Sequence, residues 1–151
     1  MAAGTFLLYN KAILKILDGT ITLPGAVRVA LVGSASNYAT STISLWGSVT
    51  DEVTSVTNSY STSGQALATE SVVVGASAGQ YKFDAGDVTW TATGNPINSI
   101  RAAVLFMSGA AAGSCHVLGW VDLTTAAFNL ATGNTLTIQW PATGIFTANN
   151  A

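Results

Sequence analysis

One change of period governs what this chain can become. Up to Gly19 its apolar residues recur at helical spacing. Beyond it they alternate with polar residues in short runs closed by glycine. A period of 3.6 lines one face of a helix, and a period of 2 lines one face of a strand.

In the first segment, "TFLLYNKAILKILDGT", Tyr9, Ile13, Ile16 and Leu17 form the apolar stripe, with Leu14 beside it. Lys11 and Lys15, four apart, define the wet face. Thr5 stands where an N-cap belongs, and Gly19 where a left-handed C-terminal glycine belongs. The pattern predicts a helix over 6–18 whose stripe must dock either on the chain's own sheet or on a neighbouring subunit. The period-two runs then predict strands at 26–33, 65–75 (one or two), 79–83, 87–93, 99–109, 114–123 and 134–140, and "GIFTAN" (144–149) closes the chain. The run at 102–107 is apolar on both faces, so it should lie centrally in a sheet covered on both sides. Residues 34–64 are polar and low in complexity. They read as a long surface loop with a short helical turn near 44–49 and a brief strand near 53–56. Short, glycine-punctuated strands at this spacing predict an all-β fold, a jelly-roll-like β-sandwich with one short N-terminal α-helix. Residues 1–19 form the helical segment and 20–151 a single sandwich domain.

At 151 residues such a chain can bury roughly 70% of its unfolded surface, so it needs no metal or disulfide to fold. Its one cysteine, Cys115, excludes an intrachain disulfide. Only 8% of residues are charged, against about 25% in an ordinary domain. A formal net charge of −2 is little to keep a free monomer soluble. That composition suits a protein packed against neighbours; the alternative is a neutral Ser/Thr-rich β domain of the sort common in extracellular modules. Lys11, Lys15, Arg28, Lys82 and Arg101 are scattered, so no basic patch for nucleic acid is expected. No run approaches the ~18 apolar residues of a membrane span. The N-terminus lacks a basic residue before its apolar part, so synthesis in the cytoplasm without Sec export is expected.

The residues able to carry chemistry read as structural. Asp84 and Asp87 flank Ala85 and Gly86 between two strand ends, the composition of a turn. Two aspartates fall short of the six to eight oxygens of a calcium site. Cys115 and His116 are adjacent on a predicted strand, so their side chains point to opposite faces and form no dyad. With one histidine and one cysteine, no zinc site is expected. Asp51 and Glu52 lie together in the polar loop, whereas the carboxylates of a glycosidase come from separate elements across a cleft. No catalytic, cofactor-binding or metal residues are expected. Of the four tryptophans, Trp90, Trp120 and Trp140 fall on strands. Trp46 falls in the polar loop, where an exposed ring would anchor a contact.

"LYNKAILKILDGTITLPGAVRVALVGS", "SLWGSVTDEVTSVTNSYSTSGQALAT", "YKFDAGDVTWTA", "SIRAAVLFMS", "VLGWVDL" and "NTLTIQWPATGIF" together resemble successive blocks of small β-rich structural proteins of tailed bacteriophages and prophages. The likeness spans nearly the whole chain, with "DVTW" and "TIQW" its most specific parts. Gly86 and Pro141 stand where the family carries acids. The resemblance implies a virion component on the outside of the capsid, a decoration (cement) protein whose partners are the major capsid protein and copies of itself, as dimer or trimer. The interface residues expected are Tyr9, Ile13 and Leu17 on the helix, and Trp46 and Tyr60 in the loop. The alternative is a tail- or head-fibre module that binds carbohydrate, with Trp46 and Tyr60 as stacking rings.

Overall fold

In the computed structural model, which describes residues 4–109 and 114–149, the strand pairings are all antiparallel. The strands are β1 (Leu7–Leu8), β2 (Val27–Val32), β3 (Gln65–Ala66), β4 (Ser71–Val74), β5 (Gln80–Asp84), β6 (Val88–Thr91), β7 (Ile97–Ile100), β8 (Ala102–Met107), β9 (Val117–Asp122), β10 (Phe128–Leu130), β11 (Thr135–Ile138) and β12 (Phe146–Asn149). Helix α1 (Asn10–Leu17) follows β1, and a 3-10 turn covers Trp46–Ser48. They assemble into a five-stranded sheet β1-β9-β8-β2-β3, a three-stranded sheet β12-β5-β4, and two ribbons, β10-β7 and β11-β6. The all-β class with one short helix holds.

The five-stranded sheet divides the interior in two. Val27, Val29 and Leu31 of β2 and Ala103 and Leu105 of β8 face a large core that also takes Phe83, Trp90, Ile97, Ile100, Leu136 and Ile138 from the other three sheets. The alternate residues Ala30, Val32, Ala102, Val104 and Phe106 face a second core with Tyr9, Ala12, Tyr38, Ile43 and Trp46. β8 is therefore central and covered on both faces, as its unbroken apolar run predicts. Each large side chain buried in these layers contributes about 1.5–3 kcal/mol relative to exposure.

The N-terminal segment departs from the expected helix over 6–18. Leu7 and Leu8 pair with Trp120 and Gly119 of β9, and Tyr9, with extended backbone, takes the N-cap position instead of Thr5. The open edge of β9 offers hydrogen bonds that the helix's first turn cannot supply, and sequence spacing alone does not report that edge. The other end agrees with expectation: Asp18 closes the helix and Gly19 follows at φ +77. Helix α1 docks on its own sheet through Tyr9 and Ala12, with Ile16 against the large core.

The 34–64 segment is not the surface loop its polarity suggests. Tyr38, Ile43, Trp46, Val53 and Tyr60 are buried, so it covers one face of the five-stranded sheet and lines the core on the other. No strand forms at 53–56 beyond a bridge from Val56 to Tyr60. β10 was not expected as a strand, and of β7 only Ser99 and Ile100 were, in an expected strand over 99–109 that ran them together with β8, although the structure separates β7 from β8 at Arg101. β7 and β10 are polar at alternate or adjacent positions, pair through an irregular register, and carry Ser99 at φ +60.

Candidate functional site

The feature that stands out for recognition is an apolar surface beside the helix. The face of α1 opposite Tyr9 and Ala12 exposes Ile13, Leu14 and Leu17, the last at 78%. A groove of about 360 Å³ separates the C-terminal end of α1, at Ile16 and Gly19, from the three-stranded sheet. Its register places Val72 and Val74 of β4, Tyr81 and Phe83 of β5, and Phe146 and Ala148 of β12 on one face. At one end that face is anchored: Phe83 is buried, and Phe146 lies 5.4 Å from it and 5.9 Å from Phe6, ring centre to ring centre. At the other end the sheet overhangs, leaving Tyr81 and Val74 exposed. Ile16, Gly19, Ile21 and Leu23 form the opposite wall. Val72, Val73, Val74 and Tyr81 were not among the expected contact residues. The available signal was "SVVVGASAG" (71–79), nine residues without a charge.

The five expected contact residues separate into two groups. Ile13 and Leu17 lie on the exposed face. Tyr9, Trp46 and Tyr60 do not, which corrects the expectation that their rings are available to a neighbour or a sugar. Tyr9 is 1% exposed and donates its hydroxyl to the Tyr38 carbonyl at 2.5 Å. Trp46 is 7% exposed, stacked on Phe106 at 4.4 Å with planes 5° apart. Tyr60 is 2% exposed; its hydroxyl accepts from the Leu31 N–H at 3.1 Å and donates to Glu52 Oε1 at 2.9 Å. Aromatic rings carry the largest apolar area per residue, so a loop that can reach a sheet face buries them first.

The acids are bound to the scaffold. Asp84 pairs with Lys82 at 2.9 Å and accepts the Ala85 N–H at 3.0 Å. Asp87 accepts the backbone N–H of Trp140 at 3.1 Å, while the Trp140 indole donates to the Gly86 carbonyl at 3.2 Å. The two aspartates thus hold the β5–β6 connection and fasten Trp140 to it. Glu52 also accepts the Ser63 N–H at 2.5 Å. Burial raises its carboxyl above the usual range, partly offset by the hydrogen bonds from Tyr60 and Ser63 and by the Arg28 charge. Asp51 accepts the Ala35 N–H at 3.0 Å.

A second polar chain joins the helix start to the sheet. The Tyr38 hydroxyl donates to Asp122 at 2.6 Å, and Asp122 also pairs with Arg101 at 2.7 Å. Burial, then the hydrogen bond to Asp122, pushes the Tyr38 phenol up to about 12, and burial likewise raises Tyr9 and Tyr60. Cys115 is buried and His116 half-buried, on consecutive positions. Among the described residues no group of histidine, cysteine and acid side chains is placed to hold a metal, and no helix is long and apolar enough to cross a membrane.

No protein family, curated protein or solved structure matches this chain.

Proposed function

We propose that this chain is a bacteriophage virion structural protein, a capsid decoration (cement) protein that binds the outside of the major capsid lattice and adds subunit–subunit contacts to it. The observation that carries this reading is the exposure of large apolar side chains, Ile13, Leu14 and Leu17 on α1 and Val72, Val73, Val74 and Tyr81 on β4 and β5, in a chain with only 8% charged residues. Extended exposed apolar patches mark interaction sites, and a sparsely charged surface is tolerable where neighbours cover it. The layering of antiparallel sheets around a shared core supports the jelly-roll-like sandwich expected of such a component. Each copy contributes a modest contact, and the repeat of the lattice multiplies it.

The carbohydrate-binding alternative has less support, because Trp46 and Tyr60, its two stacking rings, are buried. Quantitative mass spectrometry of purified particles tests the proposal. A decoration protein is present at on the order of hundreds of copies, as multivalent coverage requires. A handful of copies would place the protein in the tail, and its absence from particles would end the virion reading.

A further inference from the structure

The outer edge of β4 is built like a strand waiting for a partner. In an antiparallel pair, residues alternate between those that exchange both backbone hydrogen bonds with the neighbour and those whose N–H and C=O point away. Gly75 donates to the Gln80 carbonyl at 2.8 Å, which sets the phase of the β4–β5 pairing. Val73 and Ser71 are then the hydrogen-bonded partners of Lys82 and Asp84, and Val72 and Val74 stand opposite Phe83 and Tyr81 with their own N–H and C=O turned outward. β4 is the terminal strand of its sheet. Among the described residues no other segment bonds to those outward groups.

Natural proteins protect such edges with lysine, proline, bulges or a covering segment. This edge has none of these: its three valines are exposed, Val74 at 67%, and 71–79 holds neither charge nor proline.

We infer that β4 pairs with β4 of a second copy of this chain, forming a two-fold, continuous six-stranded sheet. The phase of the free groups restricts the register, and an edge of valines with neither charge nor proline suits pairing with a second copy of itself. Only residues that both turn their backbone groups outward can exchange bonds, and the register centred on Val73 is the one that uses both Val72 and Val74 of each copy within the strand, setting Val72 against the second copy's Val74 and Val73 against the second copy's Val73. That register is its own mirror under a two-fold rotation, as an isologous contact requires. It provides four backbone hydrogen bonds and sets valine against valine throughout. No like charges meet, since Ser71 faces Gly75 and Glu70 faces Ala76. Val74 comes to rest beside the second copy's Val72, a wall residue of the groove, so the covered area runs from the edge onto the groove mouth. Three paired residues and a groove rim fall at the small end of interface sizes, below about 1,200 Å² in total, which fits a dimer with Kd near micromolar. The inference concerns the isolated chain and does not depend on the virion reading.

The test is sedimentation velocity of the purified full-length protein from about 1 to 200 µM, a range that brackets the expected Kd, on wild type, Val73→Glu and Val73→Cys. In the monomer, glutamate at 73 lies across from Lys82 and is well tolerated. At the two-fold it opposes its own copy, so dimerisation should weaken at least about tenfold while the thermal midpoint is held. The Val73 pair is of the non-bonded type, with Cα atoms about 4.5 Å apart, inside the disulfide range. Val73→Cys should therefore crosslink into dimers under mild oxidation, and Leu17→Cys should not. A wild type that is monomeric throughout overturns the inference. So does a dimer that Val73→Glu leaves intact, or one that Leu17→Cys traps and Val73→Cys does not.

Discussion

The indole of Trp46 lies flat on the ring of Phe106, with centres 4.4 Å apart and planes 5° from parallel. The loop carrying Trp46 is polar on either side, yet the 3-10 turn at Trp46–Ser48 and the bond from the Trp46 N–H to the Cys115 carbonyl at 2.7 Å hold the ring inward. Trp46→Ala should cost about 3–5 kcal/mol of stability, as for other buried aromatic truncations. Chemical denaturation measures it. A variant as stable as wild type would show that the ring contributes nothing to the fold.

Gly64 is held at φ +58, and a Cβ there would overlap the Val29 carbonyl oxygen. The oxygen belongs to the backbone of a core strand and cannot move aside. Gly64→Ala should destabilise by at least about 2 kcal/mol, combining left-handed strain with the overlap. Gly133, also at positive φ (+90) but with open space around it, is the control. There the same change should cost only the conformational part, about 1 kcal/mol.

Glu52 gives the fold a pH dependence of definite sign. Burial raises its carboxyl in the folded state, so its stabilising contribution is fully present below the unfolded-state value, near 4.3. That contribution is lost as pH rises through the higher folded-state value. Relative to Glu52→Gln, wild type should lose stability as pH rises from about 4 through the raised folded-state value. Paired urea titrations at pH 4, 5, 6 and 7 read the difference. A difference of opposite sign would show that the hydrogen bonds from Tyr60 and Ser63 outweigh desolvation.

Leu17→Lys should leave the isolated protein within about 0.5 kcal/mol of wild type, because the residue is exposed. On capsids stripped of this protein, the same variant should rebind at least about tenfold more weakly, from lost apolar burial. Cosedimentation with the shells measures it. Equal rebinding would remove the helix face from the contact.

The class of the fold and the middle of its main sheet were legible in the residues. Alternation marked β2, β6 and β11, and the two-faced run at 102–107 marked β8 as central, because periodicity and burial are tied locally. The expected end of the helix at Gly19 was readable for the same kind of reason: it rests on the conformational freedom of one residue. β10 and the first half of β7 were not readable because each is short, interrupted by polar residues and hydrogen-bonded only to the other.

Helical or extended structure at Leu7 and Leu8 could not be decided locally, since an apolar run suits both; the unpaired edge of β9 settled it. In the same way, local polarity around Trp46 and Tyr60 suggested exposed rings, but a sheet face within reach of the loop buried them. Three adjacent valines looked like any other strand until the topology left β4 at an edge. The alternation of faces along each segment is a property of neighbouring residues and is written in the chain. Which faces and edges found cover was settled by the fold, because burial and backbone pairing depend on partners far away in the chain.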